Sequence, residues 1–278
     1  MLTDQIQHKL AFINTAVPAN TPLILVGHSI GCYMILEMLK SLDAKRVIKC
    51  FLLFPTIERM SQSPSGRYAT PLLQYFRWML PVFTYPICYL IPDIVKHFLI
   101  KLHFRHQSVA QCAVDGVMKL LSPLALGSSA HLANDELQVV TDADVELLSS
   151  NIDKLFFYYG ANDHWCPVEF YKEMKERFPD ADIQLCKRKF EHAFVLESSS
   201  EMASVLWAWI QQAASHVSPT TWTYSLITFK LNSYIVLFKV KCFAAEHILG
   251  EFLSWNPTLF ILYKVKGFCW WGLFWENF

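Results

Sequence analysis

The chain has 278 residues, with 24 basic and 24 acidic side chains and no net formal charge. That balance argues against a general nucleic-acid binder, and the length supports one large domain or two small ones whose core needs no disulfide staples. Hydrophobic residues make up 53% and charged residues only 17%, an apolar balance that points to lipid contact or to a segment outside the core.

Leu2 to Val17 reads as a helix, because Leu2, Ile6, Leu10 and Ile13 recur at helical spacing and Thr3 or Asp4 can cap its start. No basic-then-apolar signal pattern opens the chain. Pro22 stops the helix. Leu23 to Val26 is a short apolar run, as expected of a strand buried on both faces. Gly27-His28-Ser29-Ile30-Gly31 follows, and Cys32 to Leu39 continues with helix formers. Strand, G-x-S-x-G and helix in that order is the setting of a nucleophile elbow. The turn is tight, hence Gly27 and Gly31, and it lifts the Ser29 hydroxyl above the strand end. The plain alternative is an ordinary strand-to-helix turn.

Val47 to Phe54 is a second buried strand, ended by Pro55, and its spacing from the elbow predicts a right-handed parallel crossover. Ser61 to Gly66 reads as a turn-rich loop. Leu72 to Leu102 is almost wholly apolar and aromatic and is broken by Pro81, Pro86 and Pro92, which disfavours one straight spanning helix. Trp78, Tyr75, Tyr85 and Tyr89 are residues that favour a lipid–water boundary, and Arg77, Lys96, Lys101 and Arg105 can reach phosphates or keep their charges in water. The segment therefore reads as a kinked hairpin lying in an interface. A cap buried over an active site is the alternative.

Val109 to Leu121, His131 to Val140 and Asp144 to Leu148 read as helices. His97, His103 and His106 have no carboxylates between them to support a metal, so no metal site is expected. Leu155 to Tyr159 is a third buried strand that runs into Gly160-Ala161-Asn162-Asp163-His164. An acid just past a parallel strand lies on the same sheet edge as the elbow, which makes Asp163 the candidate acid. Glu58 is a weaker candidate, and His164 points elsewhere. Pro167 to Phe178 reads as a helix and Ala181 to Cys186 as a strand. His192 then falls between that strand and a helix over Ser199 to Gln212. The eight cysteines lack ligand-like spacing and read as reduced thiols of an intracellular protein. Residues 213–278 are dense in Phe, Trp and Tyr without a clean period. They read as a divergent tail, disordered or adsorbed to a membrane, whose strand-like pieces do not extend a doubly wound pattern.

Three segments, PLILVGHSIGCYMILEML, FFYYGANDHWCP and KFEHAFVLESS, together resemble the α/β-hydrolases. Within them, residues Leu2 to Gln212 are similar to the lipid droplet-associated serine hydrolase family. The resemblance implies an α/β-hydrolase fold, a doubly wound and mostly parallel sheet, over residues 1–212, with a helical apolar cap at about 61–150. It implies Ser29 as nucleophile, Asp163 as acid and His192 as base, in the chain order the fold uses. The Ile30 backbone N–H would donate to the oxyanion, and no cofactor is implied. Neutral-lipid esters such as sterol esters, with acylglycerols as a further candidate, would be the substrates, at lipid droplets and the endoplasmic reticulum. Trp78, Tyr85 and Tyr89 would meet the lipid. The resemblance starts at the helix before the elbow, so the first strands of the sheet and the loop giving a second oxyanion donor are expected to be missing. The elbow strand would then be a sheet edge, and the chain weak or inactive. A non-catalytic lipid-surface binder with a vestigial hydrolase fold is the alternative.

Overall fold

The computed structural model describes residues 1–104, 111–188, 190–215 and 260–263. Five strands form one sheet: β1 (Leu23–His28), β2 (Val47–Leu53), β3 (Leu155–Gly160), β4 (Asp182–Cys186) and β5 (Phe260–Tyr263). Their order is β4-β3-β2-β1-β5, and every pairing is parallel. Parallel strands need covered faces. Every residue of β3 is buried, and only His28 of β1 is partly open.

The helices among the described residues are α1 (Leu2–Ala16), α2 (Ile30–Leu39), α3 (Pro64–Phe76), α4 (Leu80–Leu90), α5 (Asp93–His103), α6 (Gln111–Leu120), α7 (Pro123–Val139), α8 (Val145–Asn151), α9 (Val168–Arg177), α10 (Phe194–Glu197) and α11 (Ser199–Ala214). Alternation along β3 shows that the sheet is covered on both sides. Phe156 and Tyr158 pack on Trp209 of α11, with ring centroids 4.5 and 4.9 Å away. Tyr159, pointing the other way, meets Tyr171 of α9 at 5.9 Å. One large apolar cluster runs through the strands, α1, α2, α7 and α11, and a small one joins Ile100 and Phe104 to Val114 and Val117.

Several expectations change. The loop expected at Ser61–Gly66 is a short 3₁₀ turn followed by the first turn of α3. The Ser63 hydroxyl accepts the Gly66 N–H at 3.0 Å, which caps that helix. Pro123 opens a single helix, α7, where its first turn leaves no donor to lose. The prolines of the apolar stretch divide it into α3, α4 and α5, and Pro86 lies inside α4. The elbow strand is not an edge, because β5 pairs with β1 on the side away from β2. Phe260–Tyr263 therefore extends the sheet, contrary to the reading of the tail pieces. The rest of 216–278, Arg105 and His106 lie outside the described residues.

α4 has no buried residue at all. Trp78, Tyr85 and Tyr89 are 63%, 58% and 67% exposed, and Phe83, Leu90, Ile94 and Phe98 stand out beside them. This stretch is therefore an open apolar face and not a buried cap. Lys96 closes the α4–α5 hairpin by donating to the Cys88 carbonyl at 2.9 Å and pairing with Asp93 at 2.6 Å. Among the described residues no helix is long and apolar enough to cross a membrane.

Candidate active site

The site grows out of two backbone turns at the C-terminal edge of the sheet. At the first, β1 passes into α2 through Ser29, whose φ of 57° and ψ of −127° lie where L-residues are strained. The turn is close enough that a Cβ on Gly27 would come within 2.8 Å of the Gly31 and Cys32 backbone. The Ser29 N–H donates to the Leu53 carbonyl at 3.0 Å, which ties the elbow to the end of β2. At the second turn β2 ends and Phe54 takes φ 49°, an outlier for so bulky a residue. Its ring is fully buried against His28, Tyr158, His192 and Phe194. A side chain on Gly160 would run into that ring, so the glycine ending β3 makes room for it.

The loops after β1, β3 and β4 bring Ser29, Asp163 and His192 into one buried chain of hydrogen bonds. His192 Nδ1 lies 2.7 Å from Asp163 Oδ2, and its Nε2 lies 2.8 Å from Ser29 Oγ. Asp163 Oδ1 accepts the Trp165 and Cys166 N–H groups at 2.7 and 3.1 Å, and Oδ2 also accepts the Cys166 S–H at 2.8 Å. Burial works to raise the Asp163 pKa. The facing imidazole and the hydrogen bonds from His192 and Cys166 outweigh it and hold the carboxyl below its ordinary value. An ionised carboxylate only accepts, so Nδ1 carries the proton and Nε2 is left to accept from Ser29 Oγ. Burial, with Asp163 beside it, pushes the Cys166 thiol well up, so it stays a neutral donor.

His28 lies in the elbow next to the serine. Its Nε2–H donates to the His192 backbone carbonyl at 2.8 Å, and its ring packs on Phe194 at 4.5 Å. The elbow thus holds the loop that carries the imidazole. Ile30, the first residue of α2, is buried behind Ser29. Glu58 does not join the group. Its buried carboxyl pairs with Arg59, which also pairs with Glu173. His164 is exposed, and its carbonyl accepts the Ser65 N–H at 3.0 Å, which fixes the start of α3 beside the acid loop. Of the three histidines considered for a metal, His97 contacts Gln111. Among the described residues the one group of potential ligands is Asp163, Cys166 and His192, whose atoms are already engaged with each other and with Ser29.

Two neighbours are not legible in the sequence. Cys166 sits three residues past the acid with nothing in its sequence setting to distinguish it. Thr56, two residues past Phe54, places its Oγ1 3.5 Å from Ser29 Oγ. The Pro55 that ends β2 was the available sign that the chain turns there.

A parallel sheet with a strained serine elbow and covered faces is the α/β-hydrolase fold. In agreement, a carboxylesterase crystal structure from the thaumarchaeon Nitrososphaera gargenis superposes with a TM-score of 0.51 at 14% identity, covering 78% of this chain and 74% of that one. The sequence profile of the family described as lipid-droplet associated hydrolase matches residues 1–195, and the chain belongs to that family. The human lipid droplet-associated hydrolase is 43% identical over 205 residues, covering 74% of this chain, and the mouse protein of that name is 40% identical over 209 residues, covering 75%. The chain spans 62% of the human relative's length and 64% of the mouse relative's.

Proposed function

We propose that the chain is a serine hydrolase of carboxylic esters, acting by acyl transfer on neutral-lipid esters at a lipid surface. The observation that carries this reading is the unbroken Ser29–His192–Asp163 hydrogen-bond chain. His192 Nε2 takes the Ser29 proton as Oγ attacks the ester carbonyl. Asp163 holds the tautomer and stabilises the imidazolium, and the Ile30 N–H donates to the oxyanion. His192 then returns the proton to the departing alcohol. Water repeats the sequence on the acyl-enzyme, releasing the acid. No cofactor enters any step.

Sterol esters, with acylglycerols beside them, suit the exposed aromatic face of α4 and α5, which would rest on a lipid droplet or on the endoplasmic reticulum membrane. α3 starts against the acid loop and runs about 20 Å to that face, at 1.5 Å per residue. The droplet association in the relatives' names fits the same picture.

Fluorophosphonate labelling beside a Ser29→Ala control tests the chemistry. Labelling lost in the variant, with turnover of a cholesteryl ester weaker than that of the full-length relatives, is the expected result. A wild-type chain that stays unlabelled overturns the catalytic reading. The open apolar face, which needs no catalysis to bind lipid, then favours the second reading, a non-catalytic lipid-surface protein.

A further inference from the structure

Thr56 is 1% exposed, yet its hydroxyl approaches Ser29 Oγ at a long 3.5 Å. A buried hydroxyl normally finds a good partner. The backbone goes to some cost to bring it there, because Phe54 is held at positive φ just where the chain leaves β2. Thr56 therefore makes only a long, weak hydrogen bond at rest, and its hydroxyl lies beside the reacting oxygen.

The order of strands says which reacting oxygen it can serve. Ser29 follows β1, Thr56 follows β2 and Asp163 follows β3, and these strands are adjacent in that order. Thr56 thus comes from the same side of the elbow as the acid and the base it orients. The alkyl oxygen of the ester must also lie on that side, since His192 Nε2 has to protonate it. We infer that the Thr56 hydroxyl donates to the alcohol oxygen of the ester as the C–O bond breaks. It is a further catalytic residue, and the inference rests on the serine-hydrolase reading above.

The step balances without any added reactant. The tetrahedral carbon expels the alkyl oxygen with the bonding pair, and His192 Nε2 hands it the proton first taken from Ser29. Thr56 keeps its own proton and lends only a hydrogen bond while charge grows on that oxygen. An alkoxide is a poor leaving group and gains from such a donor. A nitrophenolate spreads its charge over the ring and gains little.

The test is kcat/KM for ethyl butyrate and p-nitrophenyl butyrate, which share an acyl group and differ in the leaving alcohol. Because kcat/KM covers steps through acylation, their common deacylation does not enter. Thr56→Val is expected to lower the ethyl ester's value by about 10- to 100-fold, somewhat under the loss of a full oxyanion donor. The nitrophenyl ester should change far less, and Thr56→Ser should restore the ethyl ester. Thr56→Ala serves as a second deletion in case valine fits poorly. Because the readout is a ratio within one protein, loss of folded material cancels. Equal losses with both esters, or no loss with either, overturn the inference. Fluorophosphonate labelling of the wild type separates the two levels. If the wild type labels and the ratio does not move, Thr56 alone is wrong; if the wild type does not label, the hydrolase reading falls and this inference with it.

Discussion

Asp163 shows how one residue couples chemistry to stability. It is buried, accepts from His192, Trp165 and Cys166, and has its pKa lowered in the folded protein. A depressed carboxyl stabilises the fold above its unfolded pKa of about 4. That contribution is lost as pH falls through the lower folded value. Denaturant unfolding of the wild type from pH 7 down to pH 3 should therefore show stability falling across the acid range. Asp163→Asn should flatten that part of the profile. The same variant keeps its shape but favours the wrong tautomer of His192, and kcat should fall on the order of 10⁴. A steep acid limb kept by Asp163→Asn would show that other carboxylates set it.

At the scale of the element, α7 carries an unusual load. Glu136 is 0% exposed, and neither of its carboxylate oxygens has a hydrogen-bond partner. Burial, with Asp135 next to it, pushes its pKa well up. A carboxyl raised in the folded state favours folding fully only below its unfolded pKa, and that advantage is lost as pH rises through the folded value. Glu136→Met should remove an unsatisfied group worth about 1–3 kcal/mol. Its melting temperature should exceed the wild type's, and the gap should widen from pH 4 upward. A gap that narrows with rising pH would show that the carboxylate finds a partner.

The α4–α5 hairpin is the opposite case, an element with almost nothing buried. Contiguous apolar surface of this extent marks an interaction site. Its rings are ordered among themselves, since Tyr85 and Tyr89 lie 4.5 Å apart one helical turn along. Replacing Trp78 and Tyr85 by aspartate should abolish binding to triolein droplets coated with phosphatidylcholine in a flotation assay. The folded core should be spared, because both side chains point outward. Ser29→Ala should float like the wild type. Undiminished flotation of the double variant would place the lipid contact elsewhere.

For the whole molecule, what was legible depended on distance along the chain. Ser29 could be read because strand, turn and helix are contiguous. Asp163 and His192 could be read because each follows a strand pattern. The hairpin could be read from composition, though whether it was buried or open could not, since that depends on what packs over it. Thr56 escaped because its relation to Ser29 depends on a positive φ at Phe54, a bulky residue with no propensity for it. The partner of β1 escaped because Phe260–Tyr263 is a four-residue strand lying more than 200 residues further on. Periodicity over four residues cannot say which edge they join.

That wide spacing governs the order in which the protein can assemble. β1, α2 and β2 lie within 31 residues, so the elbow and its tie to Leu53 can form early and locally. The base lies 163 residues beyond the serine and the acid 29 residues before the base. Closing such long loops is slow. During synthesis the strained serine therefore exists well before anything can take its proton. On the proposed mechanism the elbow gains its base only once β4 and the loop after it have docked beside β3.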